Sequence, residues 1–184
     1  GIAMTMDDEG SARRATEHLI ALGHSRIGFI AGPKEYDLSN WRIDGWREAM
    51  TSAGLSCDAL CVRGDFGYDS GVLAANALLD LQDPPTAIIG SNDQMTLAAL
   101  DTAKMRGLNV PDDLSLISFD NTPVVRFTVP ELTAVDQPIA ATFSKAVELL
   151  ITNGDALMPH QPVVIEGSLI ERSSTAPPSA HGRA

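Results

Sequence analysis

The chain has 184 residues, of which 44% are hydrophobic and 20% charged, and its 13 basic and 24 acidic residues give a net charge of −11. This composition is that of a globular protein long enough to bury a core, and no apolar run approaches the roughly 20 residues that a membrane helix needs. An acidic surface repels phosphate backbones, so we expect this chain not to hold DNA or RNA by itself.

Helix and strand signals alternate through the first 120 residues. Apolar residues three and four apart indicate helices, and short apolar runs bounded by glycine, proline or polar residues indicate strands. In chain order the predicted elements are a helix on Ala12, Ala15, Leu19 and Leu22, a strand at 27–31, a helix on Ile43, Trp46, Met50 and Ala53, a strand at 60–62, a helix on Val72, Ala75, Leu78 and Leu79, a strand at 87–89, a helix on Met95, Ala98, Ala99 and Met105, and a strand at 114–119. The alternation predicts an α/β fold with a doubly wound parallel sheet.

The pattern changes after residue 120. An irregular loop bounded by proline covers 121–130, and an extended segment follows at 132–135. We expect a last helix from Pro138, a final strand at 163–170 and a disordered tail at 176–184. The apolar face of that last helix consists of Ile139, Phe143, Ala146, Val147 and Leu150.

Polar side chains stand at the ends of two predicted strands. Asn92 and Asp93 follow one strand, and Asp120 and Asn121 follow the next. The carboxyl ends of parallel strands border a crevice, where carboxylates and amides can bind a polyhydroxylated small molecule. One of Asn92 and Asp93 suffices to cap the next helix, which leaves the other free to face the crevice. For Asp120 and Asn121 the alternative is an Asx-turn.

Two further residues are candidates for a binding site. Arg42 lies in the first turn of a predicted helix, where a cation is unfavourable unless it has a partner, either a carboxylate or a ligand. Phe66 lies on a loop between Gly64 and Gly67, and it either stacks on a sugar ring or anchors the loop.

Signals for catalysis and for cofactors are missing from the sequence. His18 and His24 have no nucleophile or carboxylate at triad spacing. Neither the Gly-x-Gly-x-x-Gly motif nor a phosphate-binding Gly-Lys-Ser/Thr loop occurs. We therefore predict no catalytic residues, no metal site and no cofactor, with an acid–base pair of Asp93 and Asp120 as the enzymatic alternative.

The two cysteines, Cys57 and Cys61, are expected to be free thiols in a reducing cytoplasm. On one strand they would lie about 13 Å apart, too far for a disulfide.

An ordered set of short motifs resembles the Lac/Gal repressor family of bacterial transcription regulators, specifically its effector-binding core. The motifs extend over residues 7–175, and each alone is weak while the set is specific. They are Glu17-His18-Leu19-Ile20-Ala21-Leu22-Gly23-His24, Ile27-Gly28-Phe29-Ile30-Ala31-Gly32-Pro33, Arg42-Ile43-Asp44-Gly45-Trp46, Pro85-Thr86-Ala87-Ile88 with Asn92-Asp93, Phe119-Asp120, Pro130-Glu131-Leu132-Thr133, Gln137-Pro138 and Arg172-Ser173-Ser174-Thr175.

The resemblance implies a periplasmic-binding-protein-like fold with two subdomains joined by three crossovers and an effector between them. It implies that residues 26–137 and 161–175 form the C-terminal, effector-binding subdomain and that 1–25 and 138–160 are a remnant of the N-terminal one. The hinges are then expected near residues 24–25, 137 and 161. A helix-turn-helix headpiece and half of the first subdomain would precede this chain in family members.

The same resemblance implies the site and the partners. Arg42, Asn92 and Asp120 would hydrogen bond the effector, Phe66 would stack on its ring, and Gln137 would reach in from a hinge. The effector would be a small molecule, expected to be a carbohydrate, and operator DNA would be bound only through the missing headpiece. A cytoplasmic homodimer is expected for the full-length protein, without membrane association. The alternative is a periplasmic sugar-binding protein of a transport system.

Overall fold

A six-stranded sheet with two helices on each face forms most of the computed structural model, which describes residues 4–138, 143–144, 147–148, 151 and 163–179. The elements alternate as the sequence predicts. They are β1 (Met4–Met6), α1 (Asp8–Ala21), β2 (Ile27–Ala31), α2 (Asp37–Ser52), β3 (Cys61–Arg63), α3 (Tyr68–Leu79), β4 (Ala87–Gly90), α4 (Asp93–Met105), β5 (Ser115–Asp120), a 3₁₀ turn (Pro123–Arg126), β6 (Thr133–Asp136), β7 (Val163–Ile165) and β8 (Ser168–Ile170).

The strand order of the large sheet is β3-β2-β4-β5-β6-β8, with every pair parallel except β6 and β8. The chain moves outward from β2 to β3 and then in the opposite direction from β4 to β5 and β6. The order therefore reverses between β2 and β4, and a crevice opens at such a point beyond the carboxyl ends of the strands. This end of the sheet is called the carboxyl edge below. The predicted doubly wound α/β fold is confirmed.

Alternate residues of each central strand pack into two separate cores, one on either face of the sheet. In β2, for example, Phe29 packs beneath α1 and α2, while Ile30 packs beneath α3 and α4. Strands buried on both faces are near-continuous apolar runs, as β2, β4 and β5 are.

Helix α1 packs closely on α2, because Gly45 has no side chain. A Cβ atom at Gly45 would lie 2.0 Å from the Glu9 carbonyl oxygen. Ala12, Ala15 and Leu19 of α1 belong to the same core as Trp46 of α2. The predicted boundary at residue 25 is therefore wrong. Helix α1 packs in the core of the six-stranded sheet, so it belongs to the large domain that this sheet forms and not to an N-terminal remnant.

A second, two-stranded sheet pairs β1 with β7 in parallel. The chain crosses from this small sheet to the large one at Asp7 and at residues 166–167, because β8 pairs with β6 in the large sheet. The hinges expected near residues 24–25 and 161 are thus displaced, and the predicted strand 163–170 is two strands in two sheets. The expected crossing at Gln137 directly follows the end of β6.

Residue 161 and most of 138–160 lie outside the described residues. In that stretch, residues 143–144, 147–148 and 151 are helical. The other members of the predicted helix after Pro138 are not described.

The segment after β8 is bonded to the large sheet through residue 176. Ser174 Oγ donates to the Leu116 carbonyl at 2.6 Å and accepts from the Thr133 amide at 2.8 Å. The Ala176 amide donates to Ser115 Oγ at 3.1 Å. The predicted disorder therefore does not begin at residue 176, and residues 180–184 are outside the described part.

His24, at the opposite end of the sheet from the carboxyl edge, is buried under this segment. Its Nδ1 lies 2.8 Å from Thr86 Oγ1, and its Nε2 lies 2.9 Å from the Ala176 carbonyl oxygen. Burial lowers the pKa of His24, an effect that the Ala176 carbonyl opposes and the nearby His18 adds to. The residue predicted to lie at a hinge thus ties the C-terminal segment to the sheet.

Cys57 and Cys61 are free thiols, as expected, but they do not share one strand. The Leu60 amide donates to the Cys57 carbonyl at 3.2 Å, so residues 57–60 form a turn ahead of β3. The extended spacing of about 13 Å therefore does not apply. Burial raises the pKa of both thiols.

Candidate functional site

Polar side chains from four connections gather at the carboxyl edge. They follow β1, β4, β5 and β6, and α2 adds one arginine from its first turns. The five predicted site residues fall into two groups. Arg42 and Gln137 both contact Asp8, and the charge of Arg42 acts on Asp120. Asn92 and Phe66 are hydrogen bonded to each other.

Arg42 is paired with a carboxylate within the chain. Its Nε and Nη2 each lie 2.7 Å from Asp8 Oδ1, and the two side chains are 4% and 6% exposed. A third nitrogen, Nη1, donates to the Ser91 carbonyl at 2.5 Å. Helix α2 begins at Asp37, so Arg42 lies in its second turn and not in the first turn that the sequence predicts. Of the two partners that the sequence allowed, the carboxylate is the one present, and it compensates the buried charge of Arg42.

The guanidinium of Arg42 also covers the last aromatic residue of β5. Its central carbon lies 4.5 Å from the centroid of the Phe119 ring, a cation–π distance. Phe119 is fully buried, so it supports the arginine from within the core. Arg42 is thus held in one position before any ligand arrives, with part of its five-donor inventory already used.

Asn92 caps α4 and fixes the loop that carries Phe66. Its Oδ1 accepts from the Met95 amide at 2.9 Å, and its Nδ2 donates to the Phe66 carbonyl at 2.8 Å. The capping interpretation is therefore correct for Asn92. One amide proton and part of the acceptor capacity remain for a ligand.

Asp93, the residue that capping would leave free, is engaged by the loop after β5. Its Oδ1 accepts from Ser118 Oγ at 2.5 Å, and its Oδ2 accepts from the Thr122 amide at 2.7 Å and from Thr122 Oγ1 at 2.6 Å. Both oxygens are occupied, and the side chain is buried. Asp93 therefore holds the site together and does not face the crevice.

Asp120 is the last residue of β5. Its side chain accepts no hydrogen bond from any described residue, although it is only partly exposed. Burial raises the pKa of Asp120, the Arg42 guanidinium lowers it, and the charges of Asp93 and Asp8 raise it further. A half-buried carboxyl group that has no donors among the described residues is suited to accept them from a ligand.

The backbone at Asp120 supports the same interpretation. Its φ is 88° and that of Asn121 is 55°, both in the left-handed region that L-residues rarely occupy. Strain of this kind persists only where the surrounding structure enforces it. Asn121 does not form a simple Asx-turn, because its Oδ1 accepts from Arg172 Nη2 at 2.6 Å, while its Nδ2 donates to Asp136 Oδ1 at 2.9 Å.

Phe66 lies over Gly32 and is partly exposed. A Cβ atom at Gly32 would lie 2.2 Å from Phe66 Cζ, so the ring rests directly on the glycine backbone. Tyr36 meets the ring edge to face, with centroids 5.9 Å apart. Phe66 also packs against the core beneath α3 and α4, so loop anchoring occurs, and one part of the ring remains accessible.

Gln137 directly follows β6, where a crossing is expected, and it contacts Asp8 next to the crossing after β1. Its Nε2 lies 3.3 Å from Asp8 Oδ1. The third crossing is joined to the first by Arg14, which donates to Asp7 Oδ2 and to the Gly167 carbonyl, each at 3.2 Å. Asp8 thus links Arg42 of the site to Gln137, while Arg14 links Asp7 to Gly167.

Sequence reasoning missed Asp8 and Ser91. Asp8 follows a strand of only three residues, and the only signal for it is the acidic run at 7–9. Ser91 is fully buried, and its Oγ has no hydrogen-bond partner among the described residues. A serine directly before a capping asparagine at a strand end is the signal that points to it.

A shallow depression of about 210 Å³ adjoins this edge and is lined by Thr5, Met6, Asp7, Asp8, Glu9, Trp41 and Val164. Among the described residues, no group of three or more His, Cys, Asp or Glu side chains is placed to hold a metal ion. None of the helices in the described ranges has the length and hydropathy of a membrane span.

Comparison with known proteins gives consistent matches along the chain. The family described as periplasmic binding protein-like domain matches residues 16–175. The HTH-type transcriptional repressor CytR of Escherichia coli (strain K12) is 42% identical over 147 residues, which are 79% of this chain and 43% of that protein. The HTH-type transcriptional regulator CelR of Thermobifida fusca is 37% identical over 172 residues, which are 92% of this chain and 50% of that one.

Two solved structures share both fold and sequence with the chain. A complex of the transcriptional regulator CelR with cellobiose has a TM-score of 0.84 and 36% identity, covering 94% of this chain and 54% of that one. A regulatory protein of the LacI family from Chloroflexus aggregans has a TM-score of 0.85 and 36% identity, covering 92% and 62%. The chain thus spans about half the length of the curated relatives it matches.

Proposed function

Because the chain belongs to the periplasmic binding protein-like domain family and to its Lac/Gal repressor (LacI) members, we propose that it is the effector-sensing part of a DNA-binding transcriptional repressor. Effector would bind at the carboxyl edge and favour one arrangement about the crossings, which releases the operator. The observation that supports this most is the Asp120 carboxylate, which accepts no hydrogen bond from the described residues and lies among groups that are otherwise hydrogen bonded.

The charges at this edge favour an uncharged, hydroxyl-rich effector. Asp8, Asp93 and Asp120 contribute three carboxylates, and Arg42 is already paired with Asp8. Asp120 can accept hydroxyl donors, whereas an anionic ligand would meet uncompensated negative charge. The relative CelR was solved with cellobiose, which supports a carbohydrate here.

DNA contact is assigned to a helix-turn-helix headpiece outside this chain, since the curated relatives are HTH-type regulators and the chain spans 43–50% of CytR and CelR. The net charge of −11 opposes DNA binding by the sensing part itself. We assign the regulator to the cytoplasm, where operators are, and to a homodimer that matches a two-fold operator.

The two other functions have less support. A periplasmic sugar-binding protein for transport shares the fold, yet the relatives at 37–42% identity are named as regulators. Catalysis by Asp93 and Asp120 would need a free acid–base pair, whereas both oxygens of Asp93 are bonded to Ser118 and Thr122.

The experiment is an operator–reporter assay in the source organism with Asp120→Ala in the full-length gene. We expect repression to persist and induction to be lost, since removing one buried partner costs about 1–3 kcal/mol of effector binding. Asp112→Ala, which changes an exposed carboxylate, is the control and should leave induction intact. Normal induction in Asp120→Ala would remove Asp120 from the site.

A second experiment tests the effector class by calorimetric titration of the protein with cellobiose and with a phosphorylated disaccharide. Binding of the neutral sugar alone is expected from the charges at the edge. Preferential binding of the phosphate would contradict the proposed class, although not the regulatory role.

A further inference from the structure

Nearly all polar side chains in and beside the turn after β5 are hydrogen bonded within the protein. Ser118 and Thr122 bond to Asp93 on one side, and Asn121 bonds to Asp136 on the other. Asp120, in the middle of this run, is the residue whose side chain accepts nothing from the described part of the chain. The side chains beside Asp120 are held by hydrogen bonds, whereas its own carboxylate has no such bond among the described residues and is available for a ligand.

Arg172, from the segment after β8, supplies the remaining bond to this turn. Its Nη2 donates to Asn121 Oδ1 at 2.6 Å, and its Nη1 donates to the Leu132 carbonyl at 2.5 Å. The Arg172 amide donates to Thr133 Oγ1 at 2.9 Å, which fixes the backbone from which the side chain extends. The side chain is 11% exposed, and its Nε lies 3.8 Å from Glu131 Oε2.

The geometry of the fork is specific to arginine. Two nitrogens of one planar guanidinium reach the side chain of Asn121 and the backbone of Leu132 at the same time. Through Asn121, this contact continues to Asp136, the residue that pairs with Asp120 across β5 and β6. The turn with the left-handed backbone at Asp120 and Asn121 is thus hydrogen bonded to the C-terminal segment.

We propose that Arg172 is a positioning residue for Asp120: through Asn121 it holds the turn that presents the Asp120 carboxylate to the effector. This inference rests on the proposed function of the carboxyl edge as an effector site. Arg172 itself does not contact the effector, and its role is to keep the turn in its left-handed conformation.

The test is the titration of the Asp120 carboxyl carbon by NMR in the 184-residue chain and its Arg172→Lys variant. Lysine keeps the positive charge but cannot make both contacts of the fork. The turn should relax toward water, so the pKa of Asp120, which burial raises, should fall toward its ordinary value. Because lysine retains the positive charge, and because a lost positive charge would raise the pKa, a fall in the pKa reports the relaxation of the turn.

Two further variants make the test decisive. Asn121→Gly accepts the left-handed backbone without strain and deletes only the side-chain link, so it should lower the pKa of Asp120 in the same way. Arg106→Lys is the matched control, because Arg106 Nη2 donates to Asn76 Oδ1 at 2.7 Å at a site away from this turn. It should leave the Asp120 titration unchanged.

An unchanged Asp120 titration in both Arg172→Lys and Asn121→Gly would overturn the inference, as would an equal shift in Arg106→Lys. Cellobiose titration adds a second readout, in which Arg172→Lys should weaken binding about tenfold and Arg106→Lys should not. If the wild type does not bind cellobiose, then cellobiose is not the effector, while the carboxyl titration still decides the role of Arg172.

Discussion

Asp8 and Arg42 form a buried ion pair that joins the first helix of the large domain to the second. Two guanidinium nitrogens lie 2.7 Å from a single carboxylate oxygen. Asp8 directly follows the first crossing at Asp7 and also accepts from Gln137 at the crossing after β6. A ligand that draws Arg42 away from Asp8 would therefore also loosen contacts at two crossings.

The ion pair makes a prediction about stability. Asp8→Ala leaves a buried guanidinium without its counter-ion, so the free energy of unfolding should fall by about 3–5 kcal/mol. Asp44→Ala, which breaks an exposed pair with Arg47, should change it by less than about 1 kcal/mol. Urea denaturation measures both, and equal effects of the two variants would contradict the structural role of Asp8.

Asp120 should lower the free energy of unfolding while it contributes to effector binding. Its pKa is raised in the folded state, so the folded protein holds this proton more tightly than the unfolded chain does. The stabilisation is present below the unfolded value of 3.8 and is lost as the pH rises through the folded pKa.

At pH 7 the Asp120 carboxyl group therefore costs stability, and Asp120→Asn should raise the free energy of unfolding while weakening effector binding. The gain should disappear as the pH falls toward 3.8. Urea denaturation across this range measures it, with Asp112→Asn as the exposed control. A loss of stability at pH 7 would show that Asp120 has a structural role instead.

His24 should make the fold sensitive to mild acid. Because its pKa is lowered by burial, the unfolded chain takes up a proton at higher pH than the folded protein does. The stability contributed by neutral His24 is complete above its ordinary value of 6.5 and is lost as the pH falls from there toward the folded pKa. Chemical denaturation between pH 8 and about 5 should show this loss in the wild type.

In His24→Gln the same curve should be lower at pH 8 and flatter below it, since the titrating group is gone. Parallel curves for the two proteins would mean that the acid sensitivity has another source. The variant also reports on the C-terminal segment, because His24 contacts the Ala176 carbonyl.

Ser174 should account for much of the attachment of that segment. Its fully buried hydroxyl donates to the Leu116 carbonyl and accepts from the Thr133 amide. Ser174→Ala leaves both backbone groups unsatisfied, and the free energy of unfolding should fall by about 1–3 kcal/mol. Ser173→Ala, at an exposed position, is the neighbouring control and should have little effect, and a matching loss there would refute the assignment.

The elements of the large domain were predictable because their signals are local. Glycines at 23, 54 and 107 have positive φ just after α1, α2 and α4, where the sequence places the ends of those helices. The buried strands β2, β4 and β5 are short apolar runs. Such patterns do not depend on distant residues, so they predict the fold class correctly.

The domain boundary and the bonding of the site depend on distant residues and were not predictable in the same way. The sequence of α1 does not indicate that this helix will pack against Gly45. The sequence around Asp93 does not indicate that Thr122 will donate to its carboxylate. The resemblance named Arg42 and Asp120 for the site. It could not name Asp8, whose importance comes from a contact with Arg42, 34 positions away.

The antiparallel strand β8 has a consequence for how the protein is made. During synthesis on the ribosome, β6 emerges before its partner, so the outer edge of β6 stays unpaired until residue 170 is available. An open strand edge invites pairing with other nascent chains. Strand β8 is therefore the one that closes this edge, and chains that stop before it should be prone to aggregate and to be degraded.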